Sequence, residues 1–172
     1  HRNDTLRMAI AIMAKANLFS DAGQFARSTE AAAKSIPFFL AVGDTHGVIR
    51  ASSKIGYMLT EVDRFKEALE YHRRSNGLAR AIGNQQEEAI TYTNMGLTYE
   101  KQDNLDSAYH YYLKAYKIGE VLNDDYDKVI NRYNMATILK KLDRLDEARP
   151  FVQSCMALAD RIDIPSLRVA SR

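Results

Sequence analysis

The chain has 172 residues, 46% of them apolar and 27% charged, with 24 basic and 22 acidic side chains and a formal net charge of +2. This balance excludes a disordered polyelectrolyte and gives no general electrostatic case for nucleic acid or an anionic membrane surface. The lone Cys155 excludes an intrachain disulfide, and no apolar run reaches the roughly 20 residues that a membrane-spanning helix needs.

The chain opens with the charged stretch His1–Arg7, then Met8–Ala14 and Ala14-Lys15-Ala16, the outline of a secretory leader with its small-residue cleavage site. Lys15 breaks that run, which resumes at Leu18-Phe19 in phase with later helices, so the segment reads as a helix. A first helix pair is expected over 5–20 and 24–42. Pro37 falls inside its second helix, where it removes the bond to the Ala33 carbonyl and should kink it. Gly43 suits a left-handed C-terminal cap, and Asp44 or Thr45 suits the start of the next helix. The second pair is expected over 46–61 and 64–82, closed by Gly83, and the third over 85–101 and 104–122. The fourth spans 125–141 and 144–162, with Pro150 expected to distort the beginning of its second helix. Pro165 suits the first turn of a further helix, so residues 164–172 read as a cap or the start of a fifth pair. A chain that begins at His1 and ends at Arg172 in this way looks like a piece of something longer.

The third pair shows the pattern most fully. Tyr92, Met95, Gly96 and Tyr99 form one stripe at helical spacing, and Leu105, Ala108, Tyr112 and Ala115 form another. Gly96 and Ala108 stand where two helices need to approach closely. The same residue classes recur every 40 residues: Gly56, Gly96 and Ala136; Ala68, Ala108 and Ala148; Phe25, Phe65, Leu105 and Leu145. The linker residue Gly43 recurs as Gly83, Asn123 and Asp163. The repeats are therefore 5–43, 44–83, 84–123 and 124–163, in one repeat domain that stacks each pair on the next rather than around one central core.

At these residues the chain resembles the tetratricopeptide repeat family. Ile55-Gly56-Leu59, Met95-Gly96-Tyr99 and Met135-Ala136-Leu139 match the first-helix signature of that family, and Ala68, Ala108 and Ala148 its small second-helix residue. The resemblance covers residues 5–163. It implies an all-α, right-handed superhelical solenoid of antiparallel helix pairs, here four repeats plus a partial fifth. The first repeat departs from the pattern, with Lys15 at an apolar position and Ser28 at the small one; Ser52 and Arg132 stand where the family often has Trp. The six residues beyond the family's usual 34 lengthen the helices by about 9 Å at 1.5 Å each. Long repeats of this kind are familiar from regulatory members, including kinesin light chains and parts of bacterial sensor kinases and transcription regulators.

No catalytic constellation stands out. His1, His46, His72 and His110 have no metal-ligand spacing with one another or with Cys155. His72 is expected as a hydrogen-bonded packing histidine and Cys155 as a buried structural thiol. Gly43–Gly47 lacks the preceding strand and the Gly-Lys-Ser/Thr ending of a phosphate loop. Asp124, Asp125 and Asp127 mark a helix start, where acidic residues suit the dipole. Tyr109, Tyr111, Tyr112 and Tyr116 crowd one helix and read as packing groups. No cofactor is implied.

The informative signal is the back of each first helix. With Tyr92 at 0° and about 100° per residue, Ile90, Asn94, Leu97 and Lys101 cluster opposite the packing stripe. Arg50, Lys54, Tyr57 and Glu61 are equivalent in the second repeat, and Ile130, Asn134, Thr137 and Lys141 in the fourth. In a stacked array this face lines the concave wall, and exposed Tyr57, Ile90, Leu97 and Ile130 suit a contact surface. The resemblance implies that Asn94 and Asn134 bond the backbone of an extended peptide, for which a side-chain amide offers both a donor and an acceptor. The expected function is a non-enzymatic module binding a peptide or protein segment, with the lysines adding a mild preference for acidic ligands. The alternative is a sensory or regulatory domain of a larger signalling protein. Direct nucleic-acid binding and membrane insertion are not expected, whereas a repeat exposed at its end would promote self-association.

Overall fold

In a computed structural model, which describes residues 2–122 and 124–162, the chain forms eight α-helices and no strand among the described residues. They are α1 (Arg2–Asp21), α2 (Phe25–Ala41), α3 (Thr45–Glu61), α4 (Phe65–Ala81), α5 (Gln85–Lys101), α6 (Leu105–Val121), α7 (Asp125–Lys141) and α8 (Leu145–Arg161). From α2 onward every helix has 17 residues, about 25 Å at 1.5 Å each. Two such helices with two three-residue connections make up the forty-residue period. Asn123, Asp163 and the expected fifth-repeat start at 164–172 lie outside the described residues.

The turns follow from local backbone chemistry. Gly23, Gly43 and Gly83 carry φ of 69°, 71° and 68°, while Asp63, Asp103 and Asp143 take the same left-handed conformation at 56–59°. The following amide reaches back five residues in each case, as in Gln24 N–H to the Phe19 carbonyl (2.8 Å) and Asn104 N–H to the Tyr99 carbonyl (2.9 Å). This is the Schellman arrangement, which satisfies carbonyls that the helix end leaves open. Asp44, Asn84, Asn104 and Asp124 then cap the next helices by accepting from backbone amides in the first turn.

α2 and α8 run through Pro37 and Pro150 without ending. Ala33 and Pro37 are both exposed, as are Asp146 and Pro150, so water can serve the carbonyl that each proline leaves unbonded.

Consecutive helices pack along the whole chain, and the first helices of neighbouring repeats also touch, as α3 does α5. Within repeats the close approach recurs in register. Gly56 meets His72 and Gly96 meets Tyr112, each glycine leaving room where a Cβ would stand 2.5 Å and 2.6 Å from the ring. Ala136 and Val152 continue this column in α7 and α8. The core is a succession of small clusters, one of Ala16, Ala31, Ala32, Ile55, Leu59 and Ala68, another of Ala108, Tyr112, Met135, Ile138, Leu139 and Ala148. Nearest-neighbour stacking of this kind defines a helix-pair solenoid.

The departures in the first repeat have physical reasons. Ile55, Met95 and Met135 are buried beneath the preceding helix. Lys15, at the same position of α1, is exposed, with its ammonium 5.6 Å from the centre of the Phe19 ring. Ser28 is fully buried, and its hydroxyl donates to the Ala16 carbonyl at 2.8 Å.

Candidate interaction groove

A groove of about 500 Å³ runs across α1, α3 and α5. Arg50, Lys54 and Tyr57 line it from α3, and Ile90 and Asn94 from α5. These are five of the residues expected at the concave wall. Sequence reasoning missed Ile10, Met13 and Asn17 of α1, which complete the opposite side with Ala14. The forty-residue step held the signal: Ile10 shares a column with Arg50 and Ile90, and Asn17 with Tyr57. Glu87, one turn before Ile90, was missed as well.

A smaller recess of about 180 Å³ lies between α5, α6 and α7, lined by Ile90, Asn94 and Ile130 together with Thr93, Asp127 and Asn131. Ile90 and Asn94 therefore wall both hollows. Thr137 faces a third one, of about 630 Å³, between α7 and α8 with Ala136, Val152 and Met156. Val152 is 44% exposed, whereas Tyr112 and His72, one and two steps of forty residues earlier, are 3% and 0%. Leu97, Lys101, Asn134 and Lys141 line none of these three hollows.

The charges sort unevenly along this wall. Lys101 donates to Glu61 at 3.0 Å, and Lys141 lies 2.9 Å from Glu100. Glu100 also accepts from the Tyr112 hydroxyl at 2.5 Å, tying α5, α6 and α7 together. Arg50 is exposed and Lys54 half-buried, and neither makes an ion pair or hydrogen bond among the described residues. Burial lifts the Glu87 carboxyl above its ordinary value, while the charges of Arg50 and then His46 pull it back. Further bonds join first helices directly: Thr60 to Thr98 at 2.8 Å, Asn84 to His46 at 3.2 Å and Gln86 to Asp127 at 2.5 Å.

His72 departs from expectation. It is fully buried against Gly56, but neither ring nitrogen has a hydrogen-bond partner, and the Ser52 hydroxyl is likewise unsatisfied. Burial lowers the His72 pKa to about 4. Cys155 is buried, with its thiol 3.5 Å from the Val129 carbonyl and its pKa raised by burial. The four clustered tyrosines all have partners within the fold. Tyr111 stacks on Tyr99 at 5.3 Å, Tyr116 meets Phe151 edge-on, and Arg144 lies over Tyr109. Among the described residues no three His, Cys, Asp or Glu side chains group to hold a metal, and no helix is long and apolar enough to cross a membrane.

Comparison with known proteins agrees with this architecture. A tetratricopeptide repeat family profile matches residues 87–161. The fold is tetratricopeptide-repeat-like. Aspartyl phosphate phosphatase F from Bacillus subtilis is similar at TM-score 0.86 and 16% identity, over 91% of this chain and 41% of that one. A Rap protein complexed with competence and sporulation factor follows at 0.84 and 18%, over 91% and 44%. BtubC from P. vanneervenii gives 0.79 and 16%, over 90% and 64%. The chain thus spans between 41% and 64% of these proteins, and identities this low bear on fold alone. No curated sequence matches.

Proposed function

We propose that this chain is a regulatory interaction module of a larger signalling protein, and that it takes up a peptide or protein segment in the groove across α1, α3 and α5. In this reading it binds and does no chemistry of its own. The observation that carries the reading is the groove wall itself: Ile90 and Tyr57 stand 38% and 36% exposed beside the Asn94 amide, offering apolar contact next to a donor and an acceptor. Similarity to a Rap protein complexed with competence and sporulation factor favours the regulatory reading over a free-standing scaffold.

The test is an array of acetylated, amidated random octapeptides probed with the whole chain, followed by fluorescence anisotropy on retained sequences. Asn94→Ala should weaken those peptides about three- to tenfold, the worth of one or two neutral hydrogen bonds, without lowering the melting temperature. Asn134→Ala should weaken only peptides long enough to pass α5. Unchanged affinity in both variants would reject this site.

A further inference from the structure

The recess between α5, α6 and α7 holds polar groups that the fold leaves unused. Asn131 of α7 lines it and is only 5% exposed. The Thr93 hydroxyl lies 3.5 Å from its carbonyl oxygen. Its amide nitrogen stands over Gly119, so closely that a Cβ there would overlap it, and has no hydrogen-bond partner among the described residues. One turn earlier on the same helix, Asp127 accepts from Gln86 through one oxygen at 2.5 Å and makes no ion pair among the described residues. Burial, and then the Asp124 charge, hold its carboxyl above the ordinary value, and no cationic side chain draws it down. Among the described residues no basic side chain lines the recess. α6 ends against it at Gly119 and Leu122, with no basic residue in its last turn to offset the partial negative charge of its C-terminus.

An unpaired donor thus stands one helical turn from an unpaired acceptor, with about 5–6 Å between their Cβ atoms, a spacing that two polar groups of a single residue can meet. The volume of about 180 Å³ lies below the roughly 300–1,000 Å³ of a site for a drug-sized molecule and suits one residue rather than a length of chain. We propose that the recess holds the free amino terminus of a bound peptide, with the α-ammonium on the Asp127 carboxylate, the first carbonyl accepting from Asn131 Nδ2, and an aliphatic first side chain against Ile90, Ile130 and Leu122. A lysine ammonium would satisfy Asp127 but bring no acceptor to Asn131. A free amino acid would bring a carboxylate to a site with no cation to meet it. Ile90 and Asn94 belong to both hollows, so a segment in the groove turns its first residue into the recess. The assignment rests on the peptide-binding reading for the source of that terminus.

Leucinamide, N-acetyl-leucinamide and leucine probe the recess without the groove, titrated into the whole chain at about pH 6.5, below the α-amino pKa of about 7.7–8.0, and followed by amide-proton NMR shifts. Leucinamide should bind at least tenfold tighter than the other two, because it alone joins an ammonium to a neutral carbonyl. Asp127→Asn, which keeps an acceptor for Gln86, should remove that advantage while the helical content is retained. Lys54→Met, which alters the groove alone, should leave it in place. Octapeptides that begin with Leu and carry their label at the carboxyl end, read by anisotropy, should lose at least tenfold when the amino terminus is acetylated. Equal binding of the three small probes, or leucinamide binding that persists unchanged in Asp127→Asn, overturns the site. A leucinamide preference with no effect of acetylation overturns the peptide terminus as its occupant. Acetylated octapeptides that bind leave the groove reading standing in either case, whereas octapeptides that bind in neither form reject that reading and with it the source of the terminus.

Discussion

His72 is a neutral imidazole sealed against Gly56 without a partner, and burial holds its folded pKa at about 4, below the 6.5 of a free histidine side chain. The unfolded chain therefore takes up a proton first as pH falls. The stability that depends on a neutral His72 is fully present above pH 6.5 and is lost progressively down to about pH 4. The whole shift is worth about 3 kcal/mol at most. Denaturant titrations of the wild type and His72→Leu between pH 7.5 and 4.5 should show a steeper decline in the wild type; parallel curves would deny His72 this role. Two glycines provide a second contrast at this scale. Gly96→Ala drives a methyl against the Tyr112 ring and should destabilise by about 1–3 kcal/mol. Gly77→Ala adds a methyl in open space inside α4 and should stabilise by about 0.5–1 kcal/mol. Thermal melts of both variants decide whether the interhelical column is as tight as its geometry.

The helices and their caps were largely legible in the sequence, because their causes are local. Gly43 and Asp44 perform the turn and cap that their positions imply. Pro37 and Pro150 lie inside helices as the sequence implied, but why α2 tolerates Pro37 was not legible, since that depends on whether water reaches the Ala33 carbonyl, a property of the packed array. The partners of charged side chains were hidden for a related reason. A column says which wall a lysine joins, but Lys141 reaches Glu100, outside its own column, by a distance set only once α5 and α7 are stacked. The missing bond at His72 is likewise a matter of three-dimensional neighbours. At the turns, the left-handed aspartates carry a cost that glycine avoids. Asp103→Gly should raise stability by about 0.5 kcal/mol, visible as a higher urea midpoint with an unchanged slope, while a lower midpoint would reveal an unrecognised role for the carboxylate.

For the whole molecule, nearest-neighbour stacking makes the forty-residue unit interchangeable. Excising residues 44–83 joins Gly43 to Asn84, a cap residue equivalent to Asp44, and keeps the columns in phase. This shortened chain should remain helical and melt cooperatively at a lower temperature, whereas excising 44–63 alone removes one helix and its turn and should abolish cooperative melting. Circular dichroism of the two separates a stacked array from a fold with one indivisible core. The shared wall formed by Ile90 and Asn94 has its own consequence. A guest that swings the Asn94 amide toward itself removes a surface from the neighbouring hollow, so two guests arriving from opposite sides would each change the affinity of the other by an equal factor.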